Sequence, residues 1–299
     1  MSRVVPILQV DAFTARPFAG NPAGVVLDAG GLTDDAMRKI AAEMNVAETA
    51  FLTGAARPSA DYRLRWFTPS GQEITFCGHA TVATAHALVE AGRLPGDRVV
   101  FDTLGGLLPV AVSTSPGGTV AWLEPALPIL SPYAEPLPPV LDALGVRPES
   151  LGSWARPALT PERDLLLPVA GLEVLKSLSP EMQRLATLGK EQRIRGFCLT
   201  ARETFDPGSL TTSRFFAPHI GIPEDPVTGS VHASIPVWLW EAGHLQAKGG
   251  VAAFQAEQGD FLGRPGRLAV ELYIADGRPT RVRVGGQAIT VLSGTIRLE

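Results

Sequence analysis

Residues 65 to 92, R-W-F-T-P-S-G-Q-E-I-T-F-C-G-H-A-T-V-A-T-A-H-A-L-V-E-A-G, read as a strand, a polar loop and a helix that stops at Gly92. Half the chain later the design recurs from Arg214 to Gly243, R-F-F-A-P-H-I-G-I-P-E-D-P-V-T-G-S-V-H-A-S-I-P-V-W-L-W-E-A-G. Arg65 and Pro69 answer to Arg214 and Pro218, and Glu90-Ala91-Gly92 to Glu241-Ala242-Gly243, with two extra residues in the second loop. Internal similarity at half the chain length predicts two like-folded halves facing each other. Thr81 to Val89 carries few polar groups and Val231 to Trp240 is nearly apolar all round, which marks helices buried on every face. Pro236 lies inside the second helix and is expected to kink it or shift its start, because it lacks an N–H.

The 299 residues are enough for two domains, each with its own core. With 31 glycines and 26 prolines, short strands joined by turns are expected rather than a helical bundle. The net charge of −4 leaves no basic footprint for nucleic acid or an anionic membrane, so neither is expected as a partner. Cys77 and Cys198 are the only cysteines, a pattern that suits reduced thiols in the cytoplasm better than a disulfide. The opening M-S-R-V-V-P-I-L-Q-V-D has no signal-peptide pattern. The uncharged run between Asp102 and Glu124 is broken by Gly105-Gly106, Pro109 and the turn S-P-G-G, so it reads as strand, turn and strand rather than a membrane span.

Strands are expected at Val4 to Phe13, Val25 to Leu27, Ala47 to Leu52, Asp61 to Thr68, Arg98 to Thr103, Leu107 to Ser113 and Thr119 to Leu123. Thr33 caps a helix with an apolar stripe at Met37, Ile40 and Met44. The proline-dense stretch 125–139 reads as the crossing between halves, which puts the division at 1–127 and 128–299 and leaves open whether the last strand crosses back. Beyond it come helices at Val140 to Leu144 and Pro180 to Leu188. Strands follow at Ser153 to Ala158, Asp164 to Pro168, Ile194 to Thr200, Thr212 to Phe216, Val251 to Glu257, Arg267 to Ile274, Thr280 to Val284 and Ala288 to Arg297. The expected fold class is α/β in the broad sense (α+β): two pseudo-symmetric halves, each a curved mixed or antiparallel sheet wrapped around a central helix.

Both helix starts, Gly78-His79 and Thr228-Gly229-Ser230, put small residues where unpaired N–H groups and the helix dipole attract an anion; ordinary capping by Thr228 or Ser230 is the plainer alternative. Glu48, in the β-like A-E-T-A-F-L, is either an exposed residue on a polar face or a desolvated proton carrier. Asp225 either complements a helix dipole or serves a site. His79 is a cap or core histidine or a site residue, and Cys77 an activated thiolate or a small buried hydrophobe. No metal-ligand spacing and no phosphate, dinucleotide or nucleophile-elbow motif is present, so neither a metal nor a cofactor is expected.

The blocks V-D-A-F-T-A-R-P-F-A-G-N-P-A-G-V-V, A-E-T-A-F-L, R-W-F-T-P-S-G-Q-E-I-T-F-C-G-H-A-T and E-D-P-V-T-G-S, in this order over nearly the whole chain, resemble the phenazine-biosynthesis PhzF-like family. The resemblance implies the diaminopimelate-epimerase fold with a site in a cleft between two halves, and isomerisation by proton transfer without a cofactor. It implies a homodimer as well. Glu48 matches the family's proton-carrying glutamate; His79 and Asp225 match site residues; Gly229 and Ser230 match the groups that hold the substrate carboxylate. Asn21 is a further binding position on this reading, beside Gly78 and Thr228 at the two helix starts. The phenazine enzyme has F-A-G-H-P where this chain has F-C-G-H-A, so Cys77 and Ala80 are departures. The second helix start has no cysteine, which argues against a symmetric two-thiol epimerase and leaves Cys77 a bystander.

The expectation is therefore an isomerase acting on a small carboxylate-bearing metabolite. Its rivals are a one-thiol epimerase or racemase using Cys77, and a carboxylate-binding protein without catalysis.

Overall fold

The computed structural model describes residues 3–115 and 118–298. The chain forms β1 (Arg3–Ala12), β2 (Asn21–Val26), α1 (Asp34–Met44), β3 (Glu48–Gly54), β4 (Tyr62–Phe67), β5 (Glu73–Ile74), α2 (Gly78–Glu90), β6 (Arg98–Thr103), β7 (Gly106–Ser115) and β8 (Gly118–Leu123). It continues through β9 (Ser131–Pro132), α3 (Pro138–Leu144), β10 (Ala158–Leu159), β11 (Asp164–Pro168), α4 (Leu172–Ser177), α5 (Met182–Glu191), β12 (Gly196–Ala201), β13 (Ser209–Ala217) and β14 (Ile222–Asp225). The last elements are α6 (Gly229–Glu241), β15 (Val251–Gln258), β16 (Gly266–Ala275), β17 (Arg278–Gly286) and β18 (Ala288–Leu298). One compact unit runs through Glu124 and takes in the chain again from Gly285; the other is Pro125–Val284. No helix among the described residues is long and apolar enough to cross a membrane.

In the first unit β1 pairs antiparallel with both β2 and β18, β2 runs parallel to β3, and β3 runs antiparallel to β4. β4 is parallel to β6, and β6, β7 and β8 form a meander. The second unit repeats the mixture: β11 parallel to β12, β12 antiparallel to β13, and β13 parallel to β15, which pairs with β16. The fold is thus α+β with a mixed sheet.

Strand alternation explains why helices cover both faces. Leu165, Leu167, Phe197 and Leu199 face α3 and α5, whereas Leu166 and Cys198 face Val231, Ile235, Trp238 and Leu239 of α6. A strand buried on both faces reads as a continuous apolar run, and D-L-L-L-P and G-F-C-L are such runs. In the first unit Val5, Val26, Phe51 and Phe67 pack on Met37 and Ile40 of α1. α2 is alanine-rich and buries Ala80, Val82, Ala83, Ala85, Ala87 and Leu88. Its two inward hydroxyls are satisfied by the helix itself, Thr81 donating to the Cys77 carbonyl (2.5 Å) and Thr84 to that of Ala80 (2.7 Å).

The repeated helices end alike. Gly92 and Gly243 take left-handed φ values of 64° and 75°. The following amides close back on the helix, Arg93 N to Leu88 O (2.9 Å) and His244 N to Leu239 O (2.8 Å). Only glycine adopts that conformation without strain, which is why E-A-G recurs. The strands before them also repeat a device: Arg65 forms a two-point ion pair with Glu73 (2.8 and 2.6 Å), and Arg214 one with Glu224 (2.7 Å in each arm). Each guanidinium lies 5.0 Å from the ring of Phe67 or Phe216 respectively.

Some sequence expectations needed correction. Ser153 to Pro157 form no strand; only Ala158 and Leu159 do. Trp154 there bonds the Val169 carbonyl (3.1 Å) and packs on Trp238 at 4.7 Å, so packing and Pro157 override β propensity. The strand expected from Val25 begins at Asn21, and α4, β5 and β14 are too short to carry a periodic signal. α6 runs unbroken through Pro236, whose cost of about 3 kcal/mol is set against the burial of Val231, Ile235 and Leu239 around it. The S-P-G-G turn spans 115–118, and its two central residues, 116 and 117, lie outside the described residues.

His232, fully buried in α6, donates from one ring nitrogen to the Thr228 carbonyl (2.9 Å), and burial pushes its pKa down to about 4 from 6.5. Between those values the unfolded chain binds a proton that the folded chain refuses, so this contribution to stability falls as pH drops through that window. Denaturant titrations at pH 7 and pH 4.5 should show His232→Asn, which keeps a donor for Thr228, escaping about 2 kcal/mol of the wild-type acid loss. Equal acid loss in both proteins would contradict the assignment.

Candidate functional site

The first turn of each repeated helix gathers the polar residues of its unit. In the first unit Glu48 opens β3, whose register against β2 pairs it with Ala23. Strand pleating puts Asn21, two residues before Ala23, on the same sheet face, and Asn21 is completely buried. Cys77 is the N-cap of α2 and makes no side-chain cap bond; Gly78 and His79 are the first two helical residues. Glu48, Cys77 and His79 are 8%, 6% and 7% exposed. Cys77 Sγ stands 3.6 Å from Glu48 Oε2 and 3.6 Å from His79 Nδ1, and His79 Nε2 stands 3.3 Å from Glu48 Oε2. Burial pushes the His79 pKa down to about 4, so its imidazole is neutral at pH 7 beside a carboxyl and a thiol. Glu48 is therefore not on an exposed polar face, and Cys77, the expected bystander, touches both of the other two.

In the second unit Thr228 is the N-cap of α6, again without capping through its side chain. Its hydroxyl donates to Asp225 Oδ2 (2.7 Å), and its amide donates to Gln258 Oε1 (3.1 Å). Gln258 also donates to the Asp225 carbonyl (2.7 Å) and to Thr228 Oγ1 (3.0 Å), fixing the loop before the helix. Ser230, in the first turn beside Gly229, accepts a hydrogen bond from Arg195 Nη2 (2.8 Å). Arg195 is held from behind by Asp164, through Nε to Oδ1 (2.8 Å) and through Nη2 to Oδ2. Asp164 is wholly buried, and that burial pushes its carboxyl pKa up even with Arg195 beside it. Because Arg195 donates to the Ser230 oxygen, the Ser230 proton is left to point elsewhere, which makes this hydroxyl a donor toward an anion.

The strand registers align the two clusters residue by residue. Phe51 lies opposite Arg65 and Thr49 opposite Phe67; Leu199 lies opposite Arg214 and Phe197 opposite Phe216. Glu48 therefore corresponds to Gly196, next to Arg195, and Ala23 corresponds to Asp164. Along the helices Cys77 corresponds to Thr228 and His79 to Ser230. One frame thus presents an acid to a histidine in one unit and an arginine to a serine in the other.

The sequence singles out Glu48, His79, Asp225, Asn21, Gly78, Thr228, Gly229 and Ser230; Arg195, Asp164 and Gln258, which the structure brings beside Ser230 and Thr228, are not among them. The available signal was an acid at the head of the apolar run D-L-L-L-P and an arginine immediately before G-F-C-L. As for cations, Glu48, Cys77 and His79 offer three ligand atoms within 4.8 Å of one another.

The family model for phenazine biosynthesis-like proteins, PhzC-PhzF, matches residues 10–294. An uncharacterized isomerase of Deinococcus radiodurans is 36% identical over 293 residues, covering 96% of this chain and 92% of its own length. The crystal structure of a Bacillus anthracis phenazine biosynthesis protein of the PhzF family is 28% identical, covers 98% of this chain and 99% of that one, and superposes with a TM-score of 0.89. A hydroxyproline epimerase from Agrobacterium vitis, 15% identical with a TM-score of 0.61 over 99% of this chain and 93% of its own, shares the fold.

The Arg195–Asp164 pair gives a stability test. Arg195→Met strands a buried carboxylate and should cost about 3–5 kcal/mol, and Arg195→Met with Asp164→Asn should recover much of that loss. Urea denaturation of both variants decides it; equal losses would mean that the pair is not coupled.

Proposed function

The chain is an isomerase that belongs to the PhzC-PhzF family of phenazine biosynthesis-like proteins, and we propose that it moves a proton on a small carboxylate-bearing metabolite without a cofactor. The observation that carries this reading is the buried contact of Glu48 with His79 and Cys77 at the start of an otherwise apolar helix. Glu48 takes the proton from carbon and returns it to another position. His79, neutral at pH 7, accepts or donates a hydrogen bond as the charge on Glu48 changes. Gly229 N–H and the Ser230 hydroxyl form an anion-binding group at the start of α6. Asp225 orients Thr228 and assists as an acid. Backbone N–H groups at a helix start stabilise an enolate-like intermediate most as its negative charge develops, and that difference lowers the barrier. A single carboxylate serving two carbons implies transfer on one face of the substrate.

A second reading is favoured by one distance, the 3.6 Å from Cys77 Sγ to Glu48 Oε2. Here Cys77 exchanges the proton at carbon, and the Glu48 carboxylate beside it takes the thiol proton. A two-thiol mechanism lacks its second sulfur, since Thr228 stands where Cys77 stands in the first unit.

Deuterium uptake separates the readings. A panel of small amino and ring carboxylates is incubated with enzyme in heavy water, and label at carbon is followed by mass spectrometry. Glu48→Gln should lower the labelling rate about a hundredfold or more, while Cys77→Ser keeps at least a tenth of it. Full labelling by Glu48→Gln with none by Cys77→Ser would instead establish the thiol as the proton carrier.

A further inference from the structure

The three residues of the first-unit cluster are a thiol, an imidazole and a carboxyl, the donor types that hold zinc in proteins. Their spacing matters more than their identity. Ligand atoms about 2.0–2.1 Å (nitrogen, oxygen) and about 2.3 Å (sulfur) from a tetrahedral zinc ion stand about 3.3 Å apart for nitrogen to oxygen and about 3.6 Å for sulfur to oxygen. His79 Nε2 is 3.3 Å from Glu48 Oε2, and Cys77 Sγ is 3.6 Å from the same oxygen; the thiol meets the imidazole at Nδ1, 3.6 Å away, and all three ligand atoms lie within 4.8 Å of one another. His79 Nε2 supplies a second observation. It is buried and, among the described residues, makes no hydrogen bond, although it lies within reach of that carboxylate oxygen. A buried nitrogen in that condition carries a cost that a cation between it and the carboxylate removes.

We propose that Glu48, Cys77 and His79 form a three-ligand site for zinc or a zinc-like thiophilic divalent cation, with the fourth position taken by water. Binding forms one metal–sulfur, one metal–nitrogen and one metal–oxygen bond. The Cys77 S–H bond breaks and its proton leaves to the solvent, so a dication meets two anionic ligands and the loaded cluster is neutral. The metal draws electron density from the whole Glu48 carboxylate and makes it a much weaker base toward a carbon-bound proton. Loading therefore switches off the proposed reaction, and Cys77 becomes the residue through which thiophilic metal regulates it. The second copy of the frame does not share this property, because the corresponding residues are Thr228, Ser230 and Gly196, which offer no such donor set. The inference shares the site of the proposed reaction but not its chemistry.

The test reads metal and thiol, not turnover, so it stands or falls apart from the proton-transfer reading. Metal-free protein is titrated with cobalt(II), then with zinc(II). The expected result is one ion per chain, and a sulfur-to-cobalt charge-transfer absorption that zinc displaces and Cys77→Ser abolishes. Glu48→Gln and His79→Ala should each weaken zinc at least tenfold, and His244→Ala, far along the chain in the second unit, should not. Zinc should also protect Cys77 of the wild-type protein from iodoacetamide at least tenfold, a measurement that needs no variant to fold. No binding, binding that the three ligand variants leave unchanged, or unprotected alkylation of Cys77 at saturating zinc would overturn the proposal.

Discussion

A helix buried on nearly every face has to be covered on nearly every side, and α2 and α6 are such helices. Neither gives a broad polar face to water, so burial decides where both lie. The helix ends are different. Main-chain amides in the first turn have no partner within the helix, and at Cys77 and Thr228 the cap side chains do not supply one. The polar chemistry of each unit is consequently concentrated at one end of one buried rod. Glu48, at the head of β3, and Arg195, immediately before β12, reach those ends from strands that stand in the same place in each unit. Burial at that end also shifts titration: desolvation pushes the His79 pKa down to about 4, which holds its imidazole neutral at pH 7.

The repeat was legible because backbone requirements repeat more faithfully than chemistry does. Gly92 and Gly243 are both needed for a left-handed turn, and Arg65 and Arg214 both meet an aromatic ring and a carboxylate. Glu73 and Glu224 went unread because their partners are found by pairing across strands, not by spacing along the chain. Arg195 escaped for a related reason: its partners, Asp164 and Ser230, come from β11 and α6, and no local pattern joins them. Glu48 was legible from a chemical oddity, an acid in a strand of apolar residues, and from its motif. Its contact with Cys77 was not, since a cysteine beside a glycine has no periodic signature.

Short elements failed for want of length. β5, β10 and β14 hold too few residues for alternation to show, and a six-residue helix such as α4 spans less than two turns. Trp154 shows the other kind of failure. A β-favouring residue in S-W-A-R-P was drawn out of any strand by packing on Trp238 and by a hydrogen bond to Val169. Propensity describes a residue alone, and the ring contact outweighed it.

Gly196 bears on the history of the repeat. A side chain at that position would begin 2.1 Å from the Phe215 ring, so even alanine would require the ring to move. The corresponding residue in the first unit is Glu48. The second copy therefore cannot acquire a matching acid by one substitution; the aromatic ring would have to change first, and with it the packing of β13 against α6. A duplicated frame of this kind is asymmetric under selection: only the first copy can regain a lost acid there in a single step.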